Sequence, residues 1–136
     1  MATLHQGAHF TLQHHAASGY VRLIRSALPF DSPDDAVRAL HECAAALAGF
    51  DVDRMGILLD WRLGPFSTDP RLHREVVAHT DAFACRFRRR AVLVTTPVGQ
   101  MQMGRIIRNE STTSPVAFND ENAAIEYVSF GGSLSP

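Results

Sequence analysis

The sequence predicts a single α/β domain: a mainly parallel sheet of about five strands with an antiparallel first strand, and four helices. Three observations carry this. Short apolar runs, MGILLD ending at Asp60 and AVLVTT ending at Thr96, are bounded by turn residues and read as strands buried on both faces. Segments with apolar residues three and four apart alternate with the strands, and each opens on a capping residue. Near the start, the gap from Ala16 to Gly19 is too short for a helical crossover, so the strands on either side form an antiparallel hairpin.

Length and composition agree. A chain of 136 residues makes one domain, 1–136, with a core from about 9 to 128 and loose ends at 1–8 and 131–136. A hydrophobic share of 46% with 20% charged residues is ordinary for a soluble protein, and a net charge of -1 argues against generic nucleic-acid binding. Every basic residue is an arginine, a bias of coding composition rather than of chemistry. No basic-then-apolar leader and no apolar run of about 18 residues is seen, so a cytoplasmic location without a membrane span is expected. Cys43 and Cys85 fall in predicted helices without close-spaced partners and are expected to be reduced and buried.

Taken in order, Phe10 and Leu12 alternate with polar residues over His9–His14, an edge-strand pattern, and Tyr20–Ile24 is the second strand. Ser32-Pro33-Asp34-Asp35 starts a helix, with a serine to accept from free amides, proline at the first position and acids at the positive end of the dipole. Val37, Leu40, Ala44 and Leu47 form its stripe, and Gly49 stops it. The strand ending at Asp60 leads through Gly64-Pro65 to a helix from Asp69 or Pro70 to about Phe87, with Leu72, Val76, Val77, Thr80, Phe83, Ala84 and Phe87 inward. Ala91–Thr95 is the next strand, and Thr96-Pro97 opens a helix through Ile107. Pro115–Phe118 is a short strand, and Asn119-Asp120-Glu121 caps a last helix with Ala123, Ala124, Ile125, Tyr127 and Val128.

The opening hairpin, the ILLDWR strand ending in Asp60, the RRRAVLVTT strand, and the closing PVAFNDENAAIEYV unit together resemble the STAS domain of sulfate transporters and anti-sigma-factor antagonists. They are also similar to the small "SpoIIAA-like" bacterial proteins, over roughly His9 to Val128. The resemblance implies a domain acting through protein–protein contact, as a bacterial signalling or regulatory component. In signalling relatives the loop after the central strand carries Asp-Ser-Ser/Thr-Gly, and a serine at the next helix start is phosphorylated by a partner kinase. Here that loop reads Gly64-Pro65-Phe66-Ser67-Thr68-Asp69-Pro70, and no glycine follows the hydroxyls.

Three readings of this loop stand side by side. Ser67, Thr68 and Asp69 form a divergent phospho-switch, or Asp69 holds the loop permanently ready for a partner, or the three residues only cap and turn. Asp69 ahead of Pro70 is the better cap, and a phosphate on Thr68 would meet its like charge. Function in open α/β sheets gathers where a strand's carboxyl end turns into a helix, which makes this loop the first place for a site.

Arg86, Arg88, Arg89 and Arg90 are read as closing the long helix, where they complement its carbonyl end; with Arg71, Arg74, Arg105 and Arg108 they give a positive excess whose minority reading is an interaction patch for an acidic protein or anionic ligand. In the third helix Gly99, Met103, Ile106 and Ile107 share a face; Met101 lies opposite, with Val98, Arg105 and Arg108 nearer to it. Met101, Arg105 and Arg108 with Gly64, Pro65 and Phe66 make a candidate partner-binding surface, and a second buried face of the helix, against a loop or the next helix, explains the placement of Met101 equally well. Phe66 is either its aromatic anchor or a core plug. Trp61 is expected to tuck under the end of the sheet.

The seven histidines lack the convergent spacing of a zinc site: His14 and His15 point to opposite strand faces, and His73 and His79 are about 240° apart on a wheel. No cofactor is expected. There is no Gly-x-Ser-x-Gly elbow, Walker loop or dinucleotide fingerprint, and grouping Asp60 with His73 or Glu75 as an acid–base pair has no motif behind it. The leading expectation is a non-catalytic interaction module, binding a regulator or a second copy as a homodimer. The alternative is a carrier of a small lipid or nucleotide, favoured by a continuous cavity beside the Gly64–Asp69 loop; a divergent enzyme is third.

Overall fold

The computed structural model describes residues 1–65, 69–110 (109 and 110 by backbone alone) and 115–129. Among these, six strands form one sheet whose spatial order is the order of the chain. β1 (Ala2–Gln6), β2 (Phe10–His15) and β3 (Tyr20–Arg25) run antiparallel, and β3, β4 (Gly56–Asp60), β5 (Arg89–Leu93) and β6 (Val116–Phe118) run parallel. The parallel pairs are bridged by α1 (Pro33–Ala46), α2 (Pro70–Ala84) and α3 (Pro97–Glu110), and α4 (Glu121–Val128) follows β6.

The layering follows from that order. Successive right-handed crossovers that always step the same way place their helices on one face of a sheet. Accordingly Leu40, Cys43 and Leu47 of α1 and Met103 and Ile107 of α3 pack in one cluster with Leu12, Leu23, Ile57, Leu59 and Val92. On the opposite face α4 contributes Ala124 and Val128 to a second cluster with Tyr20, Leu58, Ala91, Leu93 and Phe118. Alternation along β4 therefore sends Ile57 and Leu59 to one layer and Leu58 to the other, which is why its run is unbroken.

The helix starts are those the caps predict. Ser32 Oγ accepts from Asp35 N, Asp69 from Arg71 N and Asp120 from Asn122 N. Gly56 is fixed by packing: a Cβ there would run into the Val128 carbonyl oxygen, so α4 lies directly on the β4 backbone.

Four expectations change. Residues 1–8 are not simply a loose end, because Ala2–Gln6 pairs with β2 through a bulge between Thr3 and His5 and raises the strand count to six. That strand is held by edge pairing, which leaves little alternation to read. Helix α2 stops at Ala84 rather than near Phe87. Arg89 and Arg90 consequently belong to β5, and Arg88 and Arg89 serve the carbonyl end of α4: Arg89 Nη1 donates to Tyr127 O over 2.8 Å and Arg88 Nη2 to Ser129 O over 3.3 Å, while Arg90 Nη1 donates to Phe87 O in the turn after α2. Cys43 is buried as expected, but Cys85 sits at the end of α2 and is exposed.

Candidate functional site

Two polar features stand at the carboxyl ends of the central strands, one on each face of the sheet. On the α4 face Asp60, the last residue of β4, is buried among arginines. Arg22 Nη2 and Arg62 Nη2 both donate to its Oδ2 at 2.8 Å, and Arg62 Nε donates to Oδ1 at 3.0 Å. Glu121, at the start of α4, closes the ring by accepting from Arg22 Nη1 at 2.9 Å and Arg62 Nη1 at 3.0 Å. Burial alone would raise the Asp60 pKa, but the hydrogen bonds from Arg62 and Arg22 outweigh it and hold the carboxyl below its ordinary value. Two acids and two arginines leave this cluster neutral and mutually satisfied, the arrangement of a structural clasp.

The other face holds a cavity of about 340 Å³. Leu59 and Val92 form its floor on the sheet, Leu72, Val76 and Val77 of α2 one wall, and Met103, Ile106 and Ile107 of α3 another. Arg25, Pro29, Phe30, Trp61 and Pro65 also line it. The reason for the space lies in α2. Its apolar stripe points inward as its spacing predicts, yet Ala84 is its one fully buried residue among the described ones, so the first turns face a gap that short valines do not fill.

Arg25 is the unusual member of this lining. It is the last residue of β3, in phase with the inward Val21 and Leu23, and only 2% of its surface is exposed. Its guanidinium lies 4.1 Å from the Phe30 ring centroid and 5.7 Å from that of Phe10. Nη1 donates to Ser26 O at 3.0 Å and, at 3.4 Å, to His9 O and Ser26 Oγ. Among the described residues no carboxylate pairs with it. Burial therefore pushes the guanidinium down to about 10. A Cβ on Gly64 would stand 3.0 Å from both Arg25 Cγ and Trp61 Cδ1, so a glycine lets the loop after β4 close over the arginine.

The residues singled out from sequence separate into three groups. Gly64 and Pro65 lie at the cavity, with Trp61, whose ring is 5.9 Å from that of Phe10. Met101, Arg105 and Arg108 are exposed on the outer face of α3, opposite the lining residues Met103, Ile106 and Ile107. Asp69 caps α2, its Oδ1 accepting from Arg71 N at 3.0 Å, while Phe66, Ser67 and Thr68 lie outside the described residues.

Asp60 and His73 do not meet, since one faces α4 and the other lines the cavity across the sheet. His14 packs edge-on to Phe50 and His15 stacks on Tyr20, on opposite faces as the alternation requires. Among the described residues no three His, Cys, Asp or Glu side chains converge to hold a metal ion, and no helix is long and apolar enough to cross a membrane.

Arg25 lies one residue beyond Ile24, where the sequence pattern ends the second strand, and so falls outside the residues singled out above. A charged residue in phase with Val21 and Leu23 was the available signal. Comparison with protein-family models, with curated proteins and with solved structures finds no match for this chain.

Proposed function

We propose that this chain is a carrier of a small, largely apolar ligand, held between α2, α3 and the sheet of a STAS-like domain. The observation that carries the reading is the cavity of about 340 Å³ beside the Gly64–Asp69 loop, within the size range of small-molecule sites, roughly 300–1,000 Å³. Its walls are aliphatic and aromatic with few polar groups, and its lining includes Trp61 and Pro65, just past the carboxyl end of β4, the region where open α/β sheets take ligands. The α/β order and the closing strand–helix unit are consistent with the STAS-like likeness. Two unpaired cysteines suit the reducing cytoplasm.

The test is titration with Prodan, a neutral fluorophore whose emission shifts to the blue in apolar surroundings. Saturable binding is expected in the wild type and its loss in Val77→Phe, which fills the cavity, with the fold of the variant checked by circular dichroism. Absence of saturable binding to the wild type would overturn the carrier reading.

A second reading, the interaction module, draws on one observation. Val98 and Met101 of α3, three residues apart and so on one side of the helix, are 62% and 64% exposed. Asp69 already occupies the amide end of α2, which favours a permanent cap over a phosphorylated loop. For this reading, Met101→Glu is expected to lower the sedimentation coefficient of a wild-type homodimer to that of a monomer.

A further inference from the structure

We infer that the ligand of the α2–α3 cavity is an anion, a carboxylate on an apolar body, whose head is received by Arg25. This rests on the carrier reading and names the class of molecule that the site selects.

Burying a guanidinium without a counter-charge is expensive, and buried charges in folded proteins are ordinarily paired. This chain pairs the nearby Arg22 and Arg62 fully, with Asp60 and Glu121. Arg25 lies three residues from Arg22, is more deeply buried, and has only neutral acceptors: two backbone carbonyls and one hydroxyl, all reached by Nη1. Its planar fork carries five N–H donors, so the demand of the group exceeds what the described residues supply.

Arg25 also lines an apolar space large enough for a ligand. Phe30 covers its guanidinium at 4.1 Å and Gly64 closes against its stem, so it is held in place before any ligand arrives. A carboxylate entering there gains charge-assisted hydrogen bonds in a poorly hydrated setting, and its apolar body lies on Leu59, Val76 and Ile107. Asp81, the acid on the wall, is itself partnered, and His73 is the other ionisable group there. A cationic ligand would meet Arg25 as a like charge, and a neutral one would leave it uncompensated.

The experiment is isothermal titration calorimetry of the full chain at neutral pH with decanoate, decanol and decylamine, which share a chain and differ in the charge of the head. The expected order is decanoate, then decanol, then decylamine, with decanoate favoured over decanol by roughly tenfold or more, as a hydrogen bond to a charged group implies. Arg25→Met should bring decanoate down to the level of decanol while decanol binding stays within about twofold, and Arg25→Lys should keep part of the preference.

Equal binding of decanoate and decanol by the wild type would overturn the inference and leave the carrier reading standing. A preference that survives Arg25→Met in a folded variant would overturn the role of Arg25. No binding of any of the three would overturn the carrier reading itself. The wild-type order alone decides for or against an anion should Arg25→Met fail to fold.

Discussion

Arg22 and Asp60 face each other from adjacent parallel strands, with Arg22 Nη2 donating to Asp60 Oδ2 over 2.8 Å and both side chains less than a tenth exposed. Arg62 and Glu121 complete the ring and tie the start of α4 to the end of β4. Removing one member of a buried pair leaves the other uncompensated. Asp60→Ala is therefore expected to lower unfolding stability by about 3 kcal/mol, read from the urea midpoint at constant slope. Unchanged stability would show that Glu121 alone satisfies both arginines.

The same clasp sets a pH dependence. Asp60 is held below its ordinary pKa in the fold, where Arg62 and Arg22 overcome the effect of burial, and Glu121 is lowered chiefly by its hydrogen bond from Arg22. On acidification the unfolded chain takes up these protons first. The stabilisation is therefore complete above the unfolded carboxyl values, about pH 4, and is lost as pH falls through the folded ones. Urea midpoints measured between about pH 6 and about pH 3 should fall steeply, and less steeply in Asp60→Asn. Equal slopes in the two proteins would count against this origin.

Gly56 allows α4 to rest on β4. A Cβ there would collide with the Val128 backbone and stand 2.7 Å from the Val128 Cβ. Gly56→Ala is expected to cost about 1–3 kcal/mol, as overpacking does, and to speed amide exchange selectively in α4. Wild-type exchange in α4 would mean that the helix shifts at no cost.

Gly64→Ala is expected to act on the cavity more than on the fold. The added methyl presses on Arg25 Cγ and Trp61 Cδ1, each 3.0 Å away. Trp61 is the single tryptophan, so its emission maximum should shift, and Prodan binding should weaken several-fold. Unaltered emission and binding would show that the loop gives way instead.

The two thiols should separate cleanly. Burial pushes the Cys43 thiol up to about 12, whereas Cys85 is exposed and donates from Sγ to Ala82 O. A thiol-exchange reagent such as DTNB should titrate one group in the native protein at pH 8 and both in denaturant. Two fast thiols in the native state would contradict the burial of Cys43.

Local rules made most of the framework legible. Ser32, Asp69 and Asp120 cap α1, α2 and α4 because a short side-chain acceptor followed closely by a helical stripe leaves few alternatives. The wheel set Met101 opposite Met103 and left open whether that side is exposed or packs against a loop or the next helix; Met101 is exposed. By contrast, β1 has no inward stripe to announce it and exists because β2 offers an edge. The end of α2 was also misread. Phe83, Ala84 and Phe87 continue an apolar spacing, and Phe87 enters the core from the turn after the helix.

By itself the sequence determined the α/β class, the single domain and the alternation of strands with capped helices. Each follows from periodicity and capping within about one helix length of chain. Only the tertiary structure decided that α4 crosses to the second face, and that Asp60 meets Arg22 and Glu121 meets Arg22 across separations of 38 and 99 residues. It also decided that α2 stands off the sheet and leaves Arg25 beside an apolar space. The physical reason is that charge pairing and unfilled volume depend on which surfaces are brought together, and no local pattern records the partner.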